Sequence, residues 1–158
     1  MRHISEYGGD TNRIYVGGHS AGGHLAALLT LDDRYLNARG ISPGSIRGCA
    51  ALSGVYDLAE GEGQASVFGK DKKVRRDASP LFHVKGAAPP FLVSYCQWDY
   101  PTLPAQARLF EAALQKARIA AELLFVPRES HISEMISITR DDDPTAKAIL
   151  QFIKQDAR

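Results

Sequence analysis

The stretch Gly17-Gly18-His19-Ser20-Ala21-Gly22-Gly23-His24 sets one hydroxyl among four glycines and two histidines, directly after the apolar run Ile14-Tyr15-Val16. Upstream, Arg13–Gly18 reads as a short buried strand. Downstream, Gly22–Leu31 reads as a helix rich in Leu and Ala. Gly18-His19-Ser20-Ala21-Gly22 is therefore a G-x-S-x-G pattern between strand and helix, the context in which that pattern makes a nucleophile elbow. The turn is expected to be so tight that Gly18 and Gly22 must lack side chains. Ser20 is expected in a strained conformation with its oxygen pointing away from the sheet. The N-terminus of the following helix then faces the site, where developing negative charge is favoured. A Walker loop needs Gly-Lys-Ser/Thr, which is absent, and no register places the three glycines of a dinucleotide fingerprint around Ser20. A purely structural glycine-rich turn is the remaining alternative.

Outward from the elbow, strand-like and helix-like segments alternate. Ile46–Ser53, Phe91–Tyr95 and Ala121–Val126 read as strands, and Pro104–Lys116 as an amphipathic helix with Leu109, Phe110, Ala113 and Leu114 on one face. Pro144–Gln155 reads as the last helix, capped by Asp143, with Ile149, Phe152 and Ile153 as its core stripe. Residues 57–88 read as polar and irregular, with Gly61, Gly63, Gly69 and Gly86. At the start, His3–Tyr7 looks like the end of a helix stopped by Gly8-Gly9. Strands apolar on both faces that alternate with helices predict an α/β fold, a sheet of about four parallel strands flanked by helices. Residues 1–158 are expected to form a single domain.

A nucleophilic serine needs a base, and the base needs an orienting acid. In elbow architectures these follow in the order Ser, acid, His. Asp99 comes just beyond the third strand and His131 just beyond the fourth, at the sheet edge where Ser20 sits. The candidate catalytic set is Ser20, Asp99 and His131. Glu129 is a weaker rival for the acid, being too near His131 along the chain. His19 is read as lining the elbow and His24 as packing on the helix, while His83 has no assigned role and His3 is expected on the surface. Tyr56, Trp98, Tyr100 and Met135 are candidates for lining a pocket, against the simpler reading of loop packing.

Composition narrows the rest. The chain is 44% hydrophobic and 23% charged, ordinary for a globular domain, and its net charge of +1 gives no pull toward nucleic acid or an anionic membrane. Lys70, Lys72, Lys73, Arg75 and Arg76 form the densest basic cluster, but Asp71 and Asp77 interleave with it, so a solvated loop is expected. Cys49 and Cys96 make neither a disulfide framework nor a metal spacing, and no cofactor or metal is expected. Met1–Glu6 has no apolar signal core and no run approaches 18 apolar residues, so a cytoplasmic protein is the expectation.

Gly8-Gly9-Asp10, Asn12–Val16, the elbow through Ala26, Ser53–Leu58, Ser79-Pro80 and His131–Met135 together resemble the α/β-hydrolase esterases related to hormone-sensitive lipase, in the branch with feruloyl esterases and arylformamidases. The resemblance implies a carboxylic-ester or related acyl hydrolase with Ser20 as nucleophile, His131 as base and Asp99 as acid, acting on a small-molecule ester. It differs from the family's His-Gly-x-x-Asp-like acid loop, which here is Tyr95-Cys96-Gln97-Trp98-Asp99. It also implies an oxyanion hole with two donors: the N–H of Ala21 and a His-Gly-Gly-type loop upstream. A strand–helix–strand unit takes on the order of 30 residues, more than precedes Ser20. The expectation is therefore a partial, N-terminally truncated α/β-hydrolase fold with half an oxyanion hole and weak activity. The alternative is a catalytically silent remnant acting as an assembly module. An unpaired first strand at Ile14-Tyr15-Val16 predicts a homodimer or higher homo-oligomer.

Overall fold

The computed structural model describes residues 3–59 and 65–155. Gly61 and Gly63, and the first two residues of the chain, lie outside that range. The sheet is built from β1 (Ile14–His19), β2 (Ile46–Leu52), β3 (Phe91–Trp98) and β4 (Ala121–Ser130). The four strands lie side by side in sequence order and every neighbouring pair is parallel. All their C-terminal ends therefore share one edge.

Helices cover both faces, as a doubly buried parallel sheet requires. On one face α1 (Ala21–Leu31) and α5 (Leu103–Lys116) cover Cys49, Ala51, Phe91, Val93 and Tyr95 with Ala27, Leu31, Ala107, Phe110 and Leu114. On the other, α7 (Pro144–Gln155) lays Phe152 and Ile149 against Tyr15, Ala50, Leu92 and Leu124. Alternate residues of β2 thus feed opposite cores, and both sets are small, which lets the helices sit close. The Asp143 carboxylate accepts the Ala146 N–H at 2.7 Å and caps α7.

Several expectations are corrected. Leu109 is 61% exposed; the buried stripe of α5 is Leu103, Ala107, Phe110 and Leu114, spaced by three and four as a helix face demands. The described part of the stretch expected to be irregular holds α3 (Ala65–Phe68), α4 (Lys72–Asp77) and a 3₁₀ turn at Pro80–His83. The basic cluster is thus not a loop. Asp71 accepts the Lys73 N–H at 2.8 Å to start α4, Arg75 is buried, and the Arg76 guanidinium stacks on Phe82 at 3.6 Å. Short helices α2 (Asp33–Asn37) and α6 (Ser133–Ser137) were not expected. The opening residues form a single 3₁₀ turn, Ile4–Tyr7, which Gly8 closes at φ 76°.

β3 and β4 run further than Tyr95 and Val126. Their pairing breaks register between Cys96 and Trp98, then resumes with Trp98 opposite Ser130. Pro127 cannot donate to a ladder, and Arg128 beside it adopts φ 60°, its N–H capped by Gln97 Oε1 at 2.9 Å. This irregularity aims the end of β4, and with it His131, back over the sheet edge.

Candidate active site

Ser20 sits between β1 and α1 with φ 57° and ψ −118°, a region a side chain rarely occupies. The Ser20 N–H is held by the Leu52 carbonyl at 2.9 Å, and its own carbonyl accepts the His24 N–H. Crowding explains part of the glycine pattern. A Cβ on Gly18 would lie 2.4 Å from the carbonyl carbon of Gly22. The requirement at Gly22 itself is not found, since a Cβ there meets nothing within 4 Å. The second tight position is Gly23, where a Cβ would press on Leu52 O at 3.0 Å and Gly54 Cα at 3.1 Å. Helix α1 crosses the end of β2 so closely that a side chain at Gly23 would have to push this backbone aside.

Three loops bring the sequence candidates together. The Ser20 hydroxyl lies 2.8 Å from His131 Nε2, and His131 Nδ1 lies 2.7 Å from Asp99 Oδ1. A carboxylate only accepts, so Nδ1 carries the proton and the Ser20 hydroxyl donates to Nε2. The Asp99 side chain is fully buried. Its Oδ1 also accepts the Tyr100 N–H at 3.0 Å, while Oδ2 accepts the Cys96 N–H at 3.1 Å and the Ser53 hydroxyl at 2.7 Å. The departure of Tyr95–Trp98 from the family's acid loop thus leaves Asp99 held on both oxygens. Ala21, the proposed oxyanion donor, is the first residue of α1, where backbone N–H groups have no partner within the helix.

The His131 ring is in tilted contact with the rings of His19 and Tyr100, each with ring centres 4.5 Å away. His19 thus lies against His131 as well as lining the elbow. Burial, and then the neighbouring His131, push its pKa below the ordinary imidazole value. His24 packs as expected, donating from Nε2 to the Ala78 carbonyl at 2.7 Å. Glu129 does not approach His131. It accepts the Ser137 hydroxyl at 2.7 Å, and hydrogen bonds from Ser133 and then Ser137 hold its carboxyl below the usual range.

Of the proposed pocket residues, Tyr56 is core: it is fully buried, stacked on Phe110 at 4.2 Å, and bonds the Ala51 carbonyl. Trp98, Tyr100 and Met135 are exposed, Tyr100 directly at the site. Sequence reasoning missed Ser53 and Glu134. Both are fully buried, and their side-chain oxygens lie 2.8 Å apart behind Asp99. From the sequence Ser53 stands at the end of the second strand and Glu134 shortly after His131, and neither has an assigned role there. The clue for Glu134 was its place three residues after His131, on the same side of a helical turn. Among the described residues no helix is long and apolar enough to cross a membrane.

With this geometry in hand, similarities to known proteins can be placed. A profile of the prolyl oligopeptidase family matches residues 2–158. Esterase LipQ of Mycobacterium tuberculosis is 32% identical over 174 residues, covering 96% of this chain and 40% of its own length. Kynurenine formamidase of Danio rerio is 26% identical, covering 89% of this chain and 49% of its own. A truncated carbohydrate esterase from gut microbiota superposes with a TM-score of 0.80 at 17% identity, over 98% of this chain and 63% of that one. The chain spans less than half the length of these two sequence relatives. Esterases and a formamidase among the relatives agree with the resemblance drawn from the elbow, and the four-stranded parallel sheet agrees with the expected α/β-hydrolase fold.

Proposed function

This chain belongs to the prolyl oligopeptidase family of α/β-hydrolases, and from that premise we propose that it is a serine carboxylic-ester hydrolase working through an acyl-enzyme. The observation that carries the reading is the unbroken chain of hydrogen bonds from Ser20 through His131 to Asp99, at 2.8 and 2.7 Å, ending on a serine with φ 57°. Ser20 Oγ attacks the ester carbonyl as its proton passes to His131 Nε2. Asp99 accepts from Nδ1 and stabilises the imidazolium that forms. The developing oxyanion is met by the Ala21 N–H and the N-terminal end of α1. His131 returns the proton to the departing alcohol. Water then attacks the acyl-enzyme by the same route and releases the acid.

For the described residues taken alone, Ala21 supplies one oxyanion donor. Lacking a second typically costs about 10²–10³ in rate, so slow turnover is the expected behaviour. The substrate is a small-molecule ester. The two free, buried thiols, Cys49 and Cys96, support a reducing, cytoplasmic setting. The test is labelling by an organophosphonate together with hydrolysis of a short p-nitrophenyl ester, each run beside Ser20→Ala. Labelling of Ser20 alone, and hydrolysis lost in the variant, are expected. A folded wild-type protein that is neither labelled nor active would sink the reading.

A second reading rests on β1, which is an edge of the sheet among the described residues and is only partly buried. An edge strand is a template for a second chain, and we infer a homodimer paired there. In its extreme form the chain is a silent module that only assembles. Light scattering decides the assembly: a clean monomer near 17.2 kDa at micromolar concentration overturns it.

A further inference from the structure

Behind Asp99 lies a second carboxyl group that the mechanism above does not use. Glu134, in the short helix after His131, is completely buried. Its Oε1 is 2.8 Å from the Ser94 hydroxyl and 3.4 Å from that of Thr145. Its Oε2 is 2.8 Å from Ser53 Oγ, which is itself 2.7 Å from Asp99 Oδ2. Ser53 is pinned there by the end of β2, with φ 44° and an N–H held by the Ser94 carbonyl at 3.1 Å.

Counting protons makes the arrangement informative. Ser53 has one hydroxyl proton and two carboxyl oxygens within hydrogen-bond distance. If it donates to Asp99, its contact with Glu134 needs a proton from the other side. If it donates to Glu134, Asp99 loses a donor and two bare oxygens face each other. Two negative charges would then share a buried site across one oxygen, which is costly without a cation. The titratable groups around Glu134 supply none. His19 Nε2, from β1, is 3.8 Å from Oε2, and its pKa is lowered chiefly by burial. Cys96 on β3 and Tyr56 after β2 are both pushed up, chiefly by burial, and stay uncharged. His131 stands on the far side of Asp99, donating to Oδ1.

We propose that Glu134 is a carboxylic acid that donates its proton to Ser53 Oγ and thereby turns the Ser53 hydroxyl onto Asp99, making Glu134 and Ser53 positioning residues for the triad. Each contact then has one donor and one acceptor. Glu134 Oε1 is the carbonyl oxygen and accepts from Ser94 and Thr145. Oε2 carries the proton. Ser53 Oγ accepts from Glu134, the Cys96 thiol 3.7 Å away is a weak third partner, and the Ser53 O–H is free to point at Asp99 Oδ2. Asp99 receives four donors: His131 Nδ1–H and the Tyr100 N–H on Oδ1, Ser53 Oγ–H and the Cys96 N–H on Oδ2. That fills the lone pairs of an ionised carboxylate and locks the plane that aims His131 at Ser20.

The role in catalysis rests on the hydrolase reading; the proton does not, and the test keeps them apart. The infrared difference spectrum of wild type minus Glu134→Gln at neutral pH should show loss of a protonated-carboxyl C=O stretch. Loss of carboxylate stretches alone overturns the proton, whether or not the protein hydrolyses anything. In hydrolysis, Ser53→Ala and Glu134→Ala should lower kcat on the order of 10–100-fold with KM little changed. Glu134→Gln should recover most of that loss, because its amide donates to Ser53 and its carbonyl accepts from Ser94. The acid limb of its kcat/KM profile should stay in place, since no charge has been removed. A limb displaced to lower pH in Glu134→Gln, or a Gln variant no better than Ala when both are folded, overturns the proposal. A wild type with no hydrolysis at all fails the reading of function, while the infrared result still decides the proton.

Discussion

A Cβ on Gly18 would stand 2.4 Å from the carbonyl carbon of Gly22, whereas a Cβ on Gly22 meets nothing within 4 Å. The two glycines of the elbow are therefore not equivalent, and only one is there for want of space. Gly18→Ala must push β1 and α1 apart, at about 1–3 kcal/mol of overpacking, and displace Ser20 with them. Gly22→Ala adds a good helix former inside α1 and should leave stability unchanged or higher by up to about 1 kcal/mol. Urea melts and the rate of phosphonate labelling check both; equal damage from the two substitutions contradicts the steric account.

The triad makes its own prediction. Asp99→Asn keeps the shape but removes the carboxylate that fixes the Nδ1–H tautomer, and kcat should drop roughly 10⁴-fold. Steady-state rates of Asp99→Asn and wild type side by side are the check, and equal rates remove Asp99 as the orienting acid.

Stability should fall with acid. His24 is buried, and that burial, opposed by its bond to Ala78, lowers its pKa from 6.5. The unfolded chain binds the proton more readily, so stability is full above 6.5 and is lost as pH falls toward the depressed folded value. His19 acts in the same direction. Urea midpoints measured down through this window should decrease, and His24→Asn should flatten part of the slope. A midpoint that rises on acidification contradicts the assignment.

Phe110 and Leu109 are neighbours with opposite fates. Phe110 is fully buried, stacked on Tyr56 and edge-on to Phe91 with ring centres 5.7 Å apart. Phe110→Ala should cost about 3–5 kcal/mol, and Leu109→Ala no more than about 0.5 kcal/mol. Denaturation of the two variants side by side is the check.

The contrast also marks how far the sequence was legible. Long periodic segments were read well: the last helix has the expected bounds, Pro144–Gln155, and all four strands lie where apolar runs predicted. Leu109 was misplaced because an apolar residue one step from the true stripe looks the same on a short helical pattern. Helices of four to six residues, such as α3 and α4, carry too little periodicity to register. Ser20, Asp99 and His131 are singled out because each follows a strand end, a positional rule that works on one chain, and their side chains lie within hydrogen-bond reach of one another. Ser53 follows a strand end too, but nothing along the chain sets its hydroxyl apart from the other serines. Glu134 is recognisable only once the end of β2, β3 and α7 are assembled around it, because its meaning lies in contacts with Ser53, Ser94 and Thr145 and not in its neighbours along the chain.

The strand order follows the chain: β2 joins β1, β3 joins β2, and β4 closes the row. Growth of the sheet therefore never has to skip ahead, and each addition pairs with the strand made just before it. Among the described strands, Ser20 follows β1, Asp99 follows β3 and His131 follows β4. A chain emerging N-terminus first thus makes the hydroxyl before either of its partners. The line of contacts from Ser20 to Asp99 closes only once β4 has paired with β3.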